Sequence, residues 1–508
     1  MSWTLALPIA IPFLTAVLAY LFRQSSSGRW ISFAGSLALL WAAANLMRTV
    51  LAEGVIAGQM GNWAAPFGIT LVADYLGGVM VVITAITGLA VAIYALADID
   101  ARKEYLGYHA LFQVLIAGVT GAFLTGDLFN LYVWFEVMLI ASFGLLILGG
   151  KKEQIDGGIK YVTLNLISTI LFLSGVGLLY GMTGTLNLAD LALAVREVEN
   201  EGLLTVVAVM FMIAFGVKAA VFPLFFWLPA AYHTPAFSVS AVFAGLLTKV
   251  GVYALIRMFT LIFTHDVGYT HTILLWVAGF TMLTGVLGAA AQMDFRKILS
   301  FHIVSQIGYM ILGLALYTPL AIVGAVFYLV HHIIVKANLF LVAGVAERIA
   351  GSTDLGRIGG LYKSAPLLAV LFLIPAFSLA GFPPLSGFWA KYILVQASLE
   401  VEGWVIAGVA LVVGLLTIYS MTKIWAEAFW KPHPDGIEPR LASIPATDRA
   451  AYLVPIAGLA VLTCIIGFFP EPFVRFAQAG AAQLLDPVDY IATVLGPEAG
   501  ASFTEERP

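Results

Sequence analysis

Several ionisable side chains stand inside long apolar runs of this sequence, and six of them could carry chemistry. They are Glu136, Lys218, Lys249, His332, Lys336 and Lys391. Charge at mid-membrane costs at least about 2.5–3.5 kcal/mol per residue on insertion scales, so such groups face protein or water and need partners. Glu136 lies in Phe129-Asn-Leu-Tyr-Val-Trp-Phe-Glu136-Val-Met-Leu-Ile with no opposite charge one turn away. Its partner must come from another helix, and Lys218 in Ala214-Phe-Gly-Val-Lys218 is the natural candidate. A lysine caught between burial, which favours its neutral form, and a nearby carboxylate, which favours its charged form, can release and rebind a proton. The competing reading of the same two residues is a static buried ion pair.

Lys249 shares a helix face with Tyr253, one turn on, and with Arg257, two turns on. Arg257 nears the end of its run and is expected to snorkel. His332 and Lys336 are four apart, a spacing suited to a proton relay. A core histidine bonded to a backbone carbonyl is the alternative for His331 and His332 alike. A metal site is not expected, because adjacent His331 and His332 point to different faces and no third ligand is spaced to help. Lys423 and Glu427, also four apart, read as an interfacial pair, and Asp74 and Asp127 as capping or solvated groups near span ends.

These residues need elements to hold them, and the composition says which. Apolar residues make up 61% of the 508 and charged residues 11%, with a mean hydropathy of +0.98. A soluble domain is nearer half apolar and a quarter charged. The length therefore divides into spans of about 20 residues each. Fourteen runs are apparent: 2–22, 30–50, 71–97, 109–126, 128–149, 159–182, 203–228, 236–263, 271–292, 299–317, 319–346, 366–398, 404–430 and 450–470. They are continuous rather than alternating, which favours helices over a barrel. Met1 to Phe22 is apolar with its first basic residues, Arg23 and Arg29, behind it. That order is the reverse of a cleavable signal, so this run is expected to be a retained first span.

The loops test the count. Odd-numbered loops hold fifteen Lys and Arg residues, even-numbered loops only Arg48 and Arg196. By the positive-inside rule the odd loops are cytoplasmic and both termini lie on the outer side of the cell membrane. Past Pro470, the stretch Phe473 to Leu485 is expected along the interface. The seventh and twelfth spans are each interrupted by proline, at Lys218-Ala-Ala-Val-Phe-Pro223 and at Gly381-Phe-Pro383-Pro384, with Lys391 beyond. Paired interrupted helices in two halves point to inverted-repeat transporters, against the plainer reading of two packing kinks. No basic block suggests nucleic acid. The single cysteine, Cys464, excludes an internal disulfide and a cysteine-based cluster. No catalytic signature or cofactor motif of an enzyme is present.

Four segments carry a resemblance. Gly126-Asp-Leu-Phe-Asn130 to Glu136, Val217-Lys218 to Pro223 and on through His233-Thr-Pro235, Arg296-Lys297-Ile-Leu-Ser300 to Tyr309, and Gly381 to Lys391 are similar to the antiporter-like membrane subunits. That family spans the Mrp D component of multisubunit Na⁺/H⁺ antiporters and the large membrane subunits of respiratory complex I. The residues around Glu136 most resemble the Mrp D type.

The resemblance implies an all-α fold of about fourteen transmembrane helices. Residues 1–108 would form three leading helices. Residues 109–263 and 271–430 would form two inverted five-helix repeats, with broken helices 7 and 12. Residues 450–508 would form a last helix and an interfacial tail. It implies a proton path through Glu136, Lys218, Lys249, His332, Lys336 and Lys391, with His331, Tyr253 and His233 as accessories. It implies other antiporter subunits as partners, protons and Na⁺ as cargo, and no cofactor. A proton-pumping subunit of a redox complex is the second expectation, and a structural membrane anchor with dispensable buried charges the third.

Overall fold

The computed structural model describes residues 3–436 and 441–505; Arg440, one of the basic loop residues, lies outside them. Backbone polar groups in lipid must bond within their own segment, and the apolar runs accordingly form helices at all fourteen expected positions. The first eleven spans are Trp3–Leu21, Ser27–Glu53, Tyr75–Asp98, Tyr108–Leu124, Leu128–Ile147, Lys152–Thr183, a broken seventh, Phe237–Leu261, Val267–Ala291, Phe295–Leu316 and Pro319–Ala350. A broken twelfth, Trp404–Trp430 and Ala446–Phe468 follow. Twelve of these are long and apolar enough to cross a membrane unaided, while Tyr108–Leu124 and Pro366–Ala380 are shorter apolar helices.

The seventh span runs Glu201–Ala219, breaks at Ala220, whose φ is +61°, and resumes as Trp227–Ala231. The twelfth runs Pro366–Ala380, breaks at Gly381, and resumes as Ser386–Glu400. Gly387 is needed at that second break, because a Cβ there would fall 1.8 Å from the Ser378 carbonyl oxygen.

Features recur between the halves. A backbone clasp joins the start of the fifth span to the chain beyond the sixth: Leu128 N–H donates to Leu186 O, and Leu188 N–H to Gly126 O. Its counterpart joins the start of the tenth span to the chain beyond the eleventh, Phe295 N–H to Thr353 O and Leu355 N–H to Met293 O. With spans alternating in direction, the two clasps fall at opposite ends of the bundle. Asp127 and Asp294 cap the helices that follow them. The eighth and thirteenth spans each hold a π-helical turn, Phe243–Leu247 and Trp425–Trp430.

One sequence expectation changes here. Residues 71–73, read as the start of the third span, belong instead to a strand, Thr70–Ala73, paired antiparallel with Ile56–Gln59. A four-residue apolar run cannot be told from a helix by periodicity. The stretch expected along the interface is the tail helix Pro470–Leu485. It docks through Ala477, Gly480, Ala481 and Leu484, and the Gln483 side chain accepts a hydrogen bond from Tyr75 N–H.

The eighth, tenth and eleventh spans are the most enclosed, with 94%, 94% and 89% of their apolar windows buried, against 33% for the first and sixth. The eighth carries Lys249 and the eleventh His332 and Lys336, while the tenth carries His302 and Gln306.

Candidate functional site

Glu136 and Lys218 do not touch. Thr169, on the sixth span, stands between them. Its hydroxyl donates to Glu136 Oε1 at 2.6 Å, and Lys218 Nζ donates to the same hydroxyl at 3.5 Å. The expected direct pair is therefore a three-member bridge. Lys218 sits one residue from the end of its half-helix, 7% exposed, with the Phe135 ring 5.6 Å from its ammonium. Val217 O, freed by the break, accepts from Trp227 Nε1 across the gap.

A cavity of about 20 Å³ opens beside Lys218, lined by Asn165, Tyr161, Trp227 and Tyr232. That is room for about one water. Tyr161 Oη bonds Ser142 at 2.6 Å, while Tyr232 Oη is buried without a partner in the protein.

Lys249 lies just past the π-helical turn of the eighth span and reaches back into it, donating to Ala244 O at 2.5 Å and Thr248 Oγ1 at 3.2 Å. Such turns concentrate at functional positions. The turn packs on the eleventh span, where a Cβ on Gly245 would lie 3.5 Å from Ile333 O and 3.6 Å from Ala337 Cβ. Those two residues directly follow His332 and Lys336. Lys249, His332 and Lys336 are wholly buried. Lys336 Nζ donates to Leu299 O of the tenth span at 2.9 Å.

A group of orphaned polar atoms surrounds this turn. Both ring nitrogens of His332 and of His302, both amide atoms of Asn338, and Gln306 Nε2 are buried without a partner in the protein. Buried polar groups are otherwise almost always bonded, to protein or to ordered water. These seven atoms lie together on the tenth and eleventh spans.

From His332 the row continues through aromatics. Tyr328 stacks near His332, with ring centroids 6.4 Å apart, and lies flat on Tyr309 at 5.2 Å and 10°. The Tyr328 hydroxyl donates to Gln306 Oε1. Lys391 places its ammonium 5.1 Å from the Tyr309 ring and donates to Ala380 O, freed by the twelfth-span break, at 3.1 Å. His331 turns to the same break, Nδ1 to Ser386 Oγ at 2.8 Å.

The structure brings together Lys249, His332, Lys336 and Lys391, with Glu136 and Lys218 at the near end and His331 alongside. Tyr253 bonds away from the row, its hydroxyl donating to Phe123 O at 3.1 Å. His233 is off it, on the connection after the seventh span, with Nδ1 2.7 Å from Pro229 O. Arg257 does not snorkel. It is buried and paired with Asp74 Oδ2 at 2.6 Å. Lys423 does not pair with Glu427. The π-helical turn from Trp425 intervenes, so Glu427 takes Lys431 at 2.5 Å, and Lys423 donates to Ala290 O and Gln292 O. Sequence reading passed over Thr169, His302, Gln306, Tyr309, Tyr328 and Asn338. Only His302 and Gln306 gave a usable signal, being four apart inside an apolar run.

A family model described as NADH:quinone oxidoreductase/Mrp antiporter, TM, matches residues 125–417. The chain belongs to that family. Among its antiporter-family relatives, the D subunit of the Na⁺/H⁺ antiporter of Alkalihalophilus pseudofirmus is 49% identical over 490 residues, 96% of this chain and 98% of that one. The protein of the same name from Bacillus subtilis is 40% identical over the same extent. Among solved structures, a chain of the Mrp complex from a Dietzia species superposes with a TM-score of 0.89 at 36% identity, covering 98% of this chain and all of that one. A chain of the archaeal membrane-bound sulfane sulfur reductase gives 0.91 at 25% identity, covering 97% and 100%. Every member of the row falls within the antiporter-family match. Asp74 and the tail do not.

Proposed function

We propose that this chain is the D subunit of a multisubunit Mrp-type Na⁺/H⁺ antiporter and that it carries the protons. Protons pass along the buried row from Lys218 through Lys249, the His332–Lys336 turn and Tyr328 and Tyr309 to Lys391, and Glu136 biases the first member. The observation that carries this reading is the concentration of unpartnered polar atoms around His302, His332 and Asn338, between lysines that have no carboxylate within ion-pair distance among the described residues. A static anchor would pair such groups off. The repeated clasps, breaks and π-helical turns support two inverted units at 109–263 and 271–430. The basic loops support a cell-membrane orientation with both termini outside. Other antiporter subunits are the partners.

The likeness to the sulfane sulfur reductase complex favours one second reading, a proton-pumping subunit of a redox complex. The test is exchange by the whole purified complex in vesicles. Glu136→Gln and Lys218→Ala should each abolish Na⁺-dependent proton movement while the complex assembles in full. Exchange that survives both substitutions refutes the row.

A further inference from the structure

Arg257 is a buried charge that takes no part in the row. On one face of the eighth span Lys249, Tyr253 and Arg257 follow at four-residue steps, a file about 12 Å long at 1.5 Å per residue. It leads from the middle of the bundle toward the end that carries the termini. Arg257 closes it. Its guanidinium binds Asp74 Oδ2 at 2.6 Å and donates to Tyr253 Oη at 3.4 Å. The ring of Tyr253 lies 5.5 Å from it on one side. The ring of Tyr490, from the tail helix Val488–Leu495, lies 5.3 Å away on another. Asp74 is itself fixed, Oδ1 accepting from Gly77 N–H at 2.7 Å. All four side chains are buried.

Stability does not account for this arrangement, since a buried ion pair is often no better than well-packed apolar residues of similar volume. Relay does not either, because arginine keeps its proton in proteins. A fixed positive charge at the mouth of a polar file has a different consequence. It opposes the passage of protons and cations, as positive groups do in water-selective pores.

We infer that Arg257, anchored by Asp74 and walled by Tyr490, is a positioning residue that seals the direct way out from Lys249. Protons reaching Lys249 are thereby confined to the lateral step toward Lys336. The inference rests on the proton-row reading and names its missing wall. The test is the whole complex in proteoliposomes under an imposed pH gradient without Na⁺. The pair Arg257→Gln with Asp74→Asn keeps hydrogen bonding and removes both charges. The gradient should decay faster than with the parent complex, and Na⁺-dependent exchange should lose coupling. Arg257→Lys, which keeps a cation, should stay nearer the parent. A merely structural pair would change yield or thermal stability and leave decay per complex unaltered, and that result overturns the seal. If the double variant is not recovered, Arg257→Gln alone carries the test: it removes the cation that forms the barrier, and unaltered decay overturns the seal equally. Exchange surviving Glu136→Gln would instead overturn the row, so the two failures are distinguishable.

Discussion

Thr169→Val isolates the hydroxyl that stands between the acid and the lysine. Valine fills nearly the same space, so the change removes a hydrogen bond with little loss of packing. A bond between a hydroxyl and a charged group is worth about 1.5–3 kcal/mol. The direct attraction between Glu136 and Lys218 survives the substitution. The 2.6 and 3.5 Å legs laid end to end place the two charges at most about 6 Å apart. At an effective dielectric of about 20, that is about 3 kcal/mol. Thr169→Val should therefore forfeit about half of what Glu136→Gln forfeits. Taking the lower bound for a bond used only when the proton moves, exchange should fall by about tenfold. Thr169→Ser, which restores the hydroxyl, should recover most of it. The assay is Na⁺-dependent proton movement in vesicles, normalised to assembled complex on native gels. Full activity in Thr169→Val, with Glu136→Gln still inactive, would refute the bridge. So would failure of Thr169→Ser to rescue.

Other outcomes follow from the same geometry. Tyr328→Phe keeps the stack on Tyr309 and removes the bond to Gln306; a neutral hydrogen bond of about 1 kcal/mol predicts roughly fivefold slower exchange at unchanged complex level. Gly387→Ala drives a Cβ into the Ser378 carbonyl, and overpacking of about 1–3 kcal/mol or more should show as reduced complex on native gels, while Gly408→Ala, which meets nothing within 4 Å, should not. Glu104 lies in the short helix after the third span; burial would raise its carboxyl, but bonds from His109 and Arg29 outweigh that and hold it below the usual carboxylate range. Its clasp is present above about pH 4 and is lost as pH falls through the lowered value. The unfolding temperature of the detergent-solubilised complex should thus drop below about pH 4, and less steeply in Glu104→Gln.

The spans were legible because each needs a long unbroken apolar run, and such runs are hard to disguise. So were the lysines, since a charge inside such a run is conspicuous. What joins them was not. Thr169, Tyr309 and Tyr328 are neutral residues common in membrane helices, and only the packing of the sixth, tenth and eleventh spans gives them roles. Arg257 misled because nearness to a span end suggested water, whereas its partner Asp74 lies 183 positions away in sequence, beyond any local spacing. Lys423 and Glu427 failed for a local reason, as four-residue spacing presumes an α-helix and the thirteenth span is π-helical there.

On the proposed row, Tyr309 and Tyr328, face to face, would also act as a sieve. A sodium ion crossing a protein needs a passage lined with oxygen ligands that replace its hydration shell. Two rings packed at 5.2 Å offer none, while a hydrogen ion needs only the next bonded neighbour. If protons follow the proposed row, a sodium ion would find no oxygen-lined gap between these stacked rings, and its route is expected elsewhere in an assembled exchanger. Radioactive sodium flux appearing only when both tyrosines are cut to alanine would bear this out.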